Sequence, residues 1–173
     1  TPAAYRYQWS LYNVGQNPPS GTTDADIDAP EAWDITTGND NAIIAILDTG
    51  IPLDENEDLS HPDLDDASRF FPMTDGTNDP DETVRDSSGH GTHVAGIAAA
   101  ETNNGTGIAG VNWNSKVLIY QAMRQYYAFV GQWFYNAVYA AVEDVMAMDP
   151  VPSLVINISG GYDNYNEAIE DAV

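Results

Sequence analysis

Two side chains in this sequence are placed to move protons. Asp48 closes the apolar run NAIIAILDTG (41–50), and His90 opens HGTHVAGIAAAE (90–101). A carboxylate set against an imidazole can hold the ring in one tautomer. The neutral ring, near pH 7, takes a proton from a nucleophile and later returns it. Asp-Thr-Gly alone does not fix that role, because a strand-end aspartate also forms turns by bonding its own backbone. A paired-carboxylate hydrolase would need a second copy of the tripeptide, which the chain lacks. His93 follows His90 by three residues and opens a metal reading. No glutamate accompanies the pair as in His-Glu-x-x-His, and zinc would need a further ligand. His93 is expected instead to be a structural histidine packed under its helix.

The elements that must carry these groups follow from periodicity. APEAWDITTG (29–38) reads as a short helix ending near Gly38. NAIIAILDTG is apolar on both faces and ends in a polar turn, as a central strand of a parallel sheet does. SKVLIYQAM (115–123) and SLVINIS (153–159) are further strong strands. SRFFPM (68–73) is a weaker one, cut short by Pro72. HGTHVAGIAAAE reads as a closely packed buried helix. FVGQWFYNAVYAAVEDVMAM (129–148) reads as a long one with Val138, Ala141, Val142 and Val145 at helical spacing. NEAIEDAV (166–173) begins another. Strands alternating with helices predict an α/β fold with a parallel sheet. Ligands of such sheets bind beyond the carboxyl ends of the strands, where Asp48-Thr49-Gly50 and Ser159-Gly160-Gly161 lie.

Composition narrows the function. The 173 residues, 43% apolar, suffice for one domain or part of one. Apolar stretches of about six to eight residues fall far short of the roughly 20 that span a bilayer, so no membrane is expected. The opening TPAAYRYQW reads as the start of a mature or trimmed chain rather than a signal peptide. There are no cysteines, hence no disulfide frame and no thiolate chemistry. Twenty-seven acidic residues against five basic ones give a net charge of −22, and Lys116 is the only lysine. Nothing here could neutralise phosphates, which excludes nucleic acid as a partner. The acid is concentrated in 54–66 and 75–86. It reads as a solvated face suited to salty water, compatible with divalent-cation loops among the same residues. A secreted, extracellular, halophilic or marine protein is expected.

AIIAILDTGI, then SHPDL, then DSSGHGTHVAGIAAA, then VINISGG resemble the subtilisin-like serine proteases (subtilases) in content, order and approximate spacing. The likeness runs from APEAWDITTG to the final helix. It implies a three-layer fold around a central parallel sheet, with residues 1–173 as the N-terminal part of one catalytic domain whose C-terminal strands and helices are absent. Asp48 then resembles the triad aspartate and His90 the general base. Asp63, in SHPDL, resembles a ligand of a structural calcium. TNNGTGIAG (102–110) resembles the loop around that ion, with Asn104 giving a side-chain oxygen and Thr102, Thr106 and Ile108 giving carbonyls. Gln8 resembles a further oxygen donor, and such mixed oxygen ligation suits calcium. Ser159, Gly160 and Gly161 resemble the segment that pairs with a peptide substrate. Ala128, Phe129 and Val130 resemble the opposite strand, so that the peptide completes a three-stranded ribbon. Trp133 would rim a more distal pocket, although an aromatic on an amphipathic helix also suits the core.

The sequence departs from the family at several points. Ser159-Gly160-Gly161 is one residue shorter, the glycines expected near 128–130 are bulkier, and an acidic insertion at 74–86 lengthens the 48–90 interval. The resemblance puts the nucleophilic serine, in a Gly-Thr-Ser turn, and the oxyanion-hole asparagine beyond residue 173. Ser87, Ser88 and Ser159 sit in no such turn. The chain is therefore expected to be inactive alone. Its exposed strand edge would be completed by the C-terminal remainder of the domain or by self-association. The alternative, a non-catalytic calcium-stabilised peptide-binding module, leaves the intact Asp48 and His90 without purpose. An aspartic or metal hydrolase fails on its missing groups.

Overall fold

A strand can be apolar on both faces only if something covers both, and in this chain two helices do so. The computed structural model describes residues 8–16, 21–75, 83–124, 128–129 and 131–160. In chain order the elements are α1 (Ala29–Ile35), β1 (Ala42–Asp48), β2 (Phe70–Asp75), α2 (His90–Ala99), β3 (Lys116–Gln121), β4 (Met123–Arg124), β5 (Ala128–Phe129), α3 (Gly131–Met146) and β6 (Ser153–Ile158). Four strands form one parallel sheet in the order β2-β3-β1-β6. β4 and β5 make a separate antiparallel pair. The α/β parallel-sheet expectation holds.

Side chains of a strand alternate between faces, and the core divides accordingly. Ile46, Val117 and Ile119 pack with Ala95 and Ala99 of α2. Ile43, Ala45, Leu47, Leu118 and Tyr120 pack with Ala137, Ala141 and Val145 of α3. Both helices turn alanines towards the sheet, which lets them sit close. α1 stands aside, its Ala29 and Trp33 packing with Leu11 and Ala109, while Trp33 Nε1 donates to the Val111 carbonyl at 2.7 Å.

Two sequence readings shift. The buried stripe of α3 is Phe134, Ala137, Ala141 and Val145, and Val142 is exposed. Pro72 does not end its strand: it lies inside β2, opposite Ile119. Among the described residues β2 bonds to one neighbour only, and a strand with a free side tolerates proline's missing N–H. β6, which the resemblance places within a wider sheet, is an edge of the four described strands, with Val155 and Ile158 exposed. The helix read at 166–173 lies outside the described residues. Among the described residues no helix is long and apolar enough to cross a membrane.

Ile46 has no exposed surface and contacts both β3 and α2 across the upper core. Ile46→Ala is expected to lower the unfolding free energy by about 2–5 kcal/mol in a urea titration, the range for truncating a packed aliphatic side chain.

Candidate active site

The carboxyl end of β1 delivers Asp48 to the sheet rim with no exposed surface. The polypeptide then turns through Thr49 and Gly50, and the start of α2 lies directly on that turn. The contact is so close that a Cβ at Gly91 would fall 2.4 Å from the Gly50 carbonyl oxygen, so only glycine fits there. The neighbouring His90 is thereby set over Asp48. Its Nδ1 lies 2.6 Å from Asp48 Oδ1, an atom that also accepts the Thr49 backbone N–H at 2.7 Å. The His90 side chain keeps 27% exposure.

The chemistry follows from this geometry. An ionised carboxylate only accepts, so Nδ1 carries the proton and Nε2 is left as the basic nitrogen of the ring. Asp48 Oδ2 is buried with no hydrogen-bond partner among the described residues. Burial pushes the Asp48 carboxyl above its ordinary range, against the lowering effect of hydrogen bonds from His90 and Thr49. The pair has the makings of a proton relay. The turn-forming and imidazole-orienting roles weighed for Asp48 coexist, since one oxygen serves both.

Three residues at this site escaped the reading of the sequence. Asp86 Oδ1 accepts from the Thr49 hydroxyl (2.9 Å) and from the Ser88 and Gly89 amides (2.9 and 2.8 Å). Its Oδ2 accepts from the Thr92 amide and hydroxyl at 2.9 and 2.5 Å. Burial raises the Asp86 carboxyl, but these bonds outweigh it and hold the group below its ordinary value. Thr49 Oγ1 in turn accepts the Gly91 amide at 2.8 Å. Gln121, beside Asp48 in the β1–β3 register, donates to the Thr49 and Arg85 carbonyls at 2.9 and 3.3 Å. The available signal was an aspartate three residues ahead of Gly89, the N-cap of α2, near enough for its side chain to reach the first amides of the helix.

The remaining sequence candidates divide. His93 is exposed rather than packed beneath α2. Gly91, Ala95 and Ala99 define the buried face, and His93 lies with exposed Ile97 on the far side. Leu47 pairs with Ile158, so Ser159 and Gly160 leave β6 alongside the end of β1. Gly161 and Val130 lie outside the described residues. Ala128 and Phe129 form β5, paired with Arg124 and Met123. Trp133 is half-buried in the first turn of α3. Ser88 is tied to Asp86 in the turn before α2.

The oxygen-bearing candidates lie elsewhere, each with its own partners. Asp63 is buried; its Oδ1 accepts Asn104 Nδ2 and its Oδ2 accepts the Ile108 amide, both at 2.9 Å. Gln8 clasps Ala109, donating to its carbonyl at 2.7 Å and accepting its amide at 2.8 Å. Asn104 Oδ1 accepts the Thr106 amide at 3.0 Å, and the Thr102 hydroxyl bonds to the Ala100 carbonyl at 3.2 Å.

Comparison with known proteins gives the chain a family. The model of the subtilase family matches residues 39–173. A thermophilic serine proteinase of Bacillus sp. (strain AK1) is 38% identical over 143 residues, covering 82% of this chain and 31% of that protein. Thermitase of Thermoactinomyces vulgaris is 48% identical over 92 residues, 53% of this chain and 29% of its own. The chain thus spans about a third of the length of these curated relatives. The crystal structure of the psychrophilic subtilisin-like protease Apa1 from the Antarctic psychrotroph Pseudoalteromonas sp. AS-11 superposes with a TM-score of 0.53. It covers 76% of this chain and 28% of its own at 24% identity, a likeness of fold.

A buried acid with a raised folded-state pKa binds its proton more tightly in the native than in the unfolded chain, so its contribution to stability falls as pH rises through that range. Asp48→Asn removes this penalty. In denaturant titrations across acid to neutral pH, the stability of the variant relative to wild type is expected to improve as pH rises. A difference that stayed flat or ran the other way would contradict the burial argument.

Proposed function

Since the chain belongs to the subtilase family, we propose that it supplies the orienting carboxylate and the general base of a serine endopeptidase. The observation that supports this most directly is the 2.6 Å contact between His90 Nδ1 and buried Asp48. In this reading a serine hydroxyl from a segment outside these 173 residues attacks a peptide carbonyl and passes its proton to His90 Nε2. Asp48 stays ionised and steadies the resulting imidazolium. The ring then protonates the departing amine, and water repeats the sequence to release the acid. The substrate peptide is proposed to lie between Ala128–Val130 and Ser159–Gly161, with Trp133 flanking a distal side chain. The exit of Ser159 beside the end of β1 favours this arrangement. A mere peptide binder would have no use for a carboxylate buried under an imidazole.

Without the serine, such a triad loses on the order of 10⁶ in turnover. The 173-residue chain is expected to be silent towards peptides and towards a serine-directed phosphonylating probe. Joined to a segment carrying a Gly-Thr-Ser turn, it is expected to cleave, and His90→Ala should again cost about 10⁶ in kcat. Undiminished cleavage by the His90 variant would overturn the reading.

We also propose a structural calcium held by Gln8, Asp63 and Asn104 side-chain oxygens and the carbonyls of Thr102, Thr106 and Ile108. Two features of the chain fit such an ion. The donors are all oxygen, as a hard cation prefers. Asp63 is a buried carboxylate with no ion-pair partner among the described residues, and it is cradled so tightly that a Cβ at Gly107 would lie 2.1 Å from its Oδ2. Bound calcium would supply positive charge and cross-link the N-terminal segment to the loop. Saturating calcium at a hundredfold excess over Kd is expected to add about 2.7 kcal/mol of stability. Thermal unfolding should show that gain in the wild type and its loss in Asp63→Asn; an equal gain in both would place the ion elsewhere.

Secretion into salty surroundings is proposed from the charge of −22. The outer edge of β6, with Val155 56% and Ile158 43% exposed, is proposed to pair with the C-terminal remainder of the domain or, without it, with another copy.

A further inference from the structure

The Asp48–His90 contact joins two segments that are 42 residues apart in sequence, and something must hold their carriers in register. The backbone does part of this. Ile51 and Arg85 form a bridge in which the Ile51 amide donates to Val84 and the Asp86 amide donates to Ile51, both at 2.9 Å. The side chain of Asp86 does the rest. One of its oxygens takes the hydroxyl of Thr49, the residue after Asp48. Both oxygens together take the amides of Ser88, Gly89 and Thr92 and the Thr92 hydroxyl, which surround His90 in sequence. Thr49 closes the circuit by accepting the Gly91 amide. His90 is therefore bracketed by bonded neighbours on either side, all referred to a single carboxylate.

We propose that Asp86 is a positioning residue for the Asp48–His90 pair, fixing the start of α2 to the β1 turn and thereby setting the imidazole–carboxylate contact. The proposal rests on reading that pair as a proton relay. An ordinary helix cap stabilises its own helix. Asp86 differs because its bonds span both partners of the contact, so its loss should move the imidazole and not only fray the helix. The bonds are charge-assisted, and α2 presents its amides and the positive end of its dipole to the carboxylate. Among the described residues, the other charged or titratable groups around it are Asp48 on β1, His90 and the exposed His93 on α2, and Arg85, whose guanidinium bonds to the Asp54 carbonyl.

The test reads the contact itself. A short Nδ1–H···O⁻ bond places the imidazole proton far downfield in the NMR spectrum of the ¹⁵N-histidine-labelled 173-residue chain, without any need for turnover. Wild type and Thr49→Ser, which keeps the bridging hydroxyl, are expected to show this resonance. Asp86→Ala, Asp86→Asn and Thr49→Val should shift it upfield or lose it to exchange, while amide spectra remain those of a folded chain. In a serine-containing form, Asp86→Asn is expected to lower kcat by about 10²-fold with KM little changed, the scale for a misplacement of about 1 Å. A folded Asp86→Ala or Thr49→Val chain with an unshifted resonance would overturn the proposal. Absence of the resonance in wild type would instead refute the Asp48–His90 relay, and the positioning role with it.

Discussion

An ionised carboxylate taken out of water costs several kcal/mol unless donors replace its hydration. Asp48 has no exposed surface, and its Oδ2 has no donor among the described residues. The whole burden falls on Oδ1, which the Thr49 amide and the His90 ring share. The imidazole is thus more than a neighbour of the aspartate; it relieves a group that the fold has made uncomfortable. This gives the arrangement its direction. The carboxylate is fixed by the strand, and the ring must come to it.

Bringing the ring there is a packing problem solved by small side chains. Gly91, Ala95 and Ala99 form the inner face of α2, and Ala137 and Ala141 do the same for α3. Alanine costs no side-chain entropy in a helix and permits close approach. The large residues are concentrated in the sheet: Ile43, Ile46, Leu47, Ile119 and Tyr120 are all fully buried. Tyr120 reaches Asp144 of α3 with a 2.8 Å hydrogen bond from its hydroxyl, and burial, with that carboxylate, drives the phenol far above its usual range. The rigid interior ends at the rim, where the polar network of Asp86, Thr49 and Gln121 takes over.

What could be read from the sequence follows the same division. The apolar runs of β1 and β3 announce themselves because strands covered on both sides need no polar alternation, whereas β6, equally apolar in sequence, leaves Val155 and Ile158 exposed. Asp48 and His90 stood out because each marks the junction of such an element with a polar turn. Asp86 did not, because its role depends on five donors that only the fold assembles, one of them 37 residues upstream. His93 and Val142 were misjudged for a related reason: a helix rich in small and apolar residues does not declare which stripe meets the sheet. Pro72 misled because a local rule about proline gives way where a strand has a free side. The bonds that Asp63 accepts from Asn104 and the Ile108 amide could be expected only through resemblance, since Gly- and Asn-rich loops have many uses.

The bridge between Ile51 and Arg85 has one further consequence. It closes the base of the long excursion that leaves β1 and returns before α2, much as a drawstring closes a bag. Enlarging a loop whose mouth is already shut adds little entropy, about 0.6 kcal/mol per doubling of length. Within that stretch β2 and the buried Leu53, Asp63 and Leu64 are fixed by packing, but the exposed acidic turn at 55–58 can drift in composition while the Asp48–His90 contact stays put. A lineage could retune its solubility there one substitution at a time and leave that contact undisturbed.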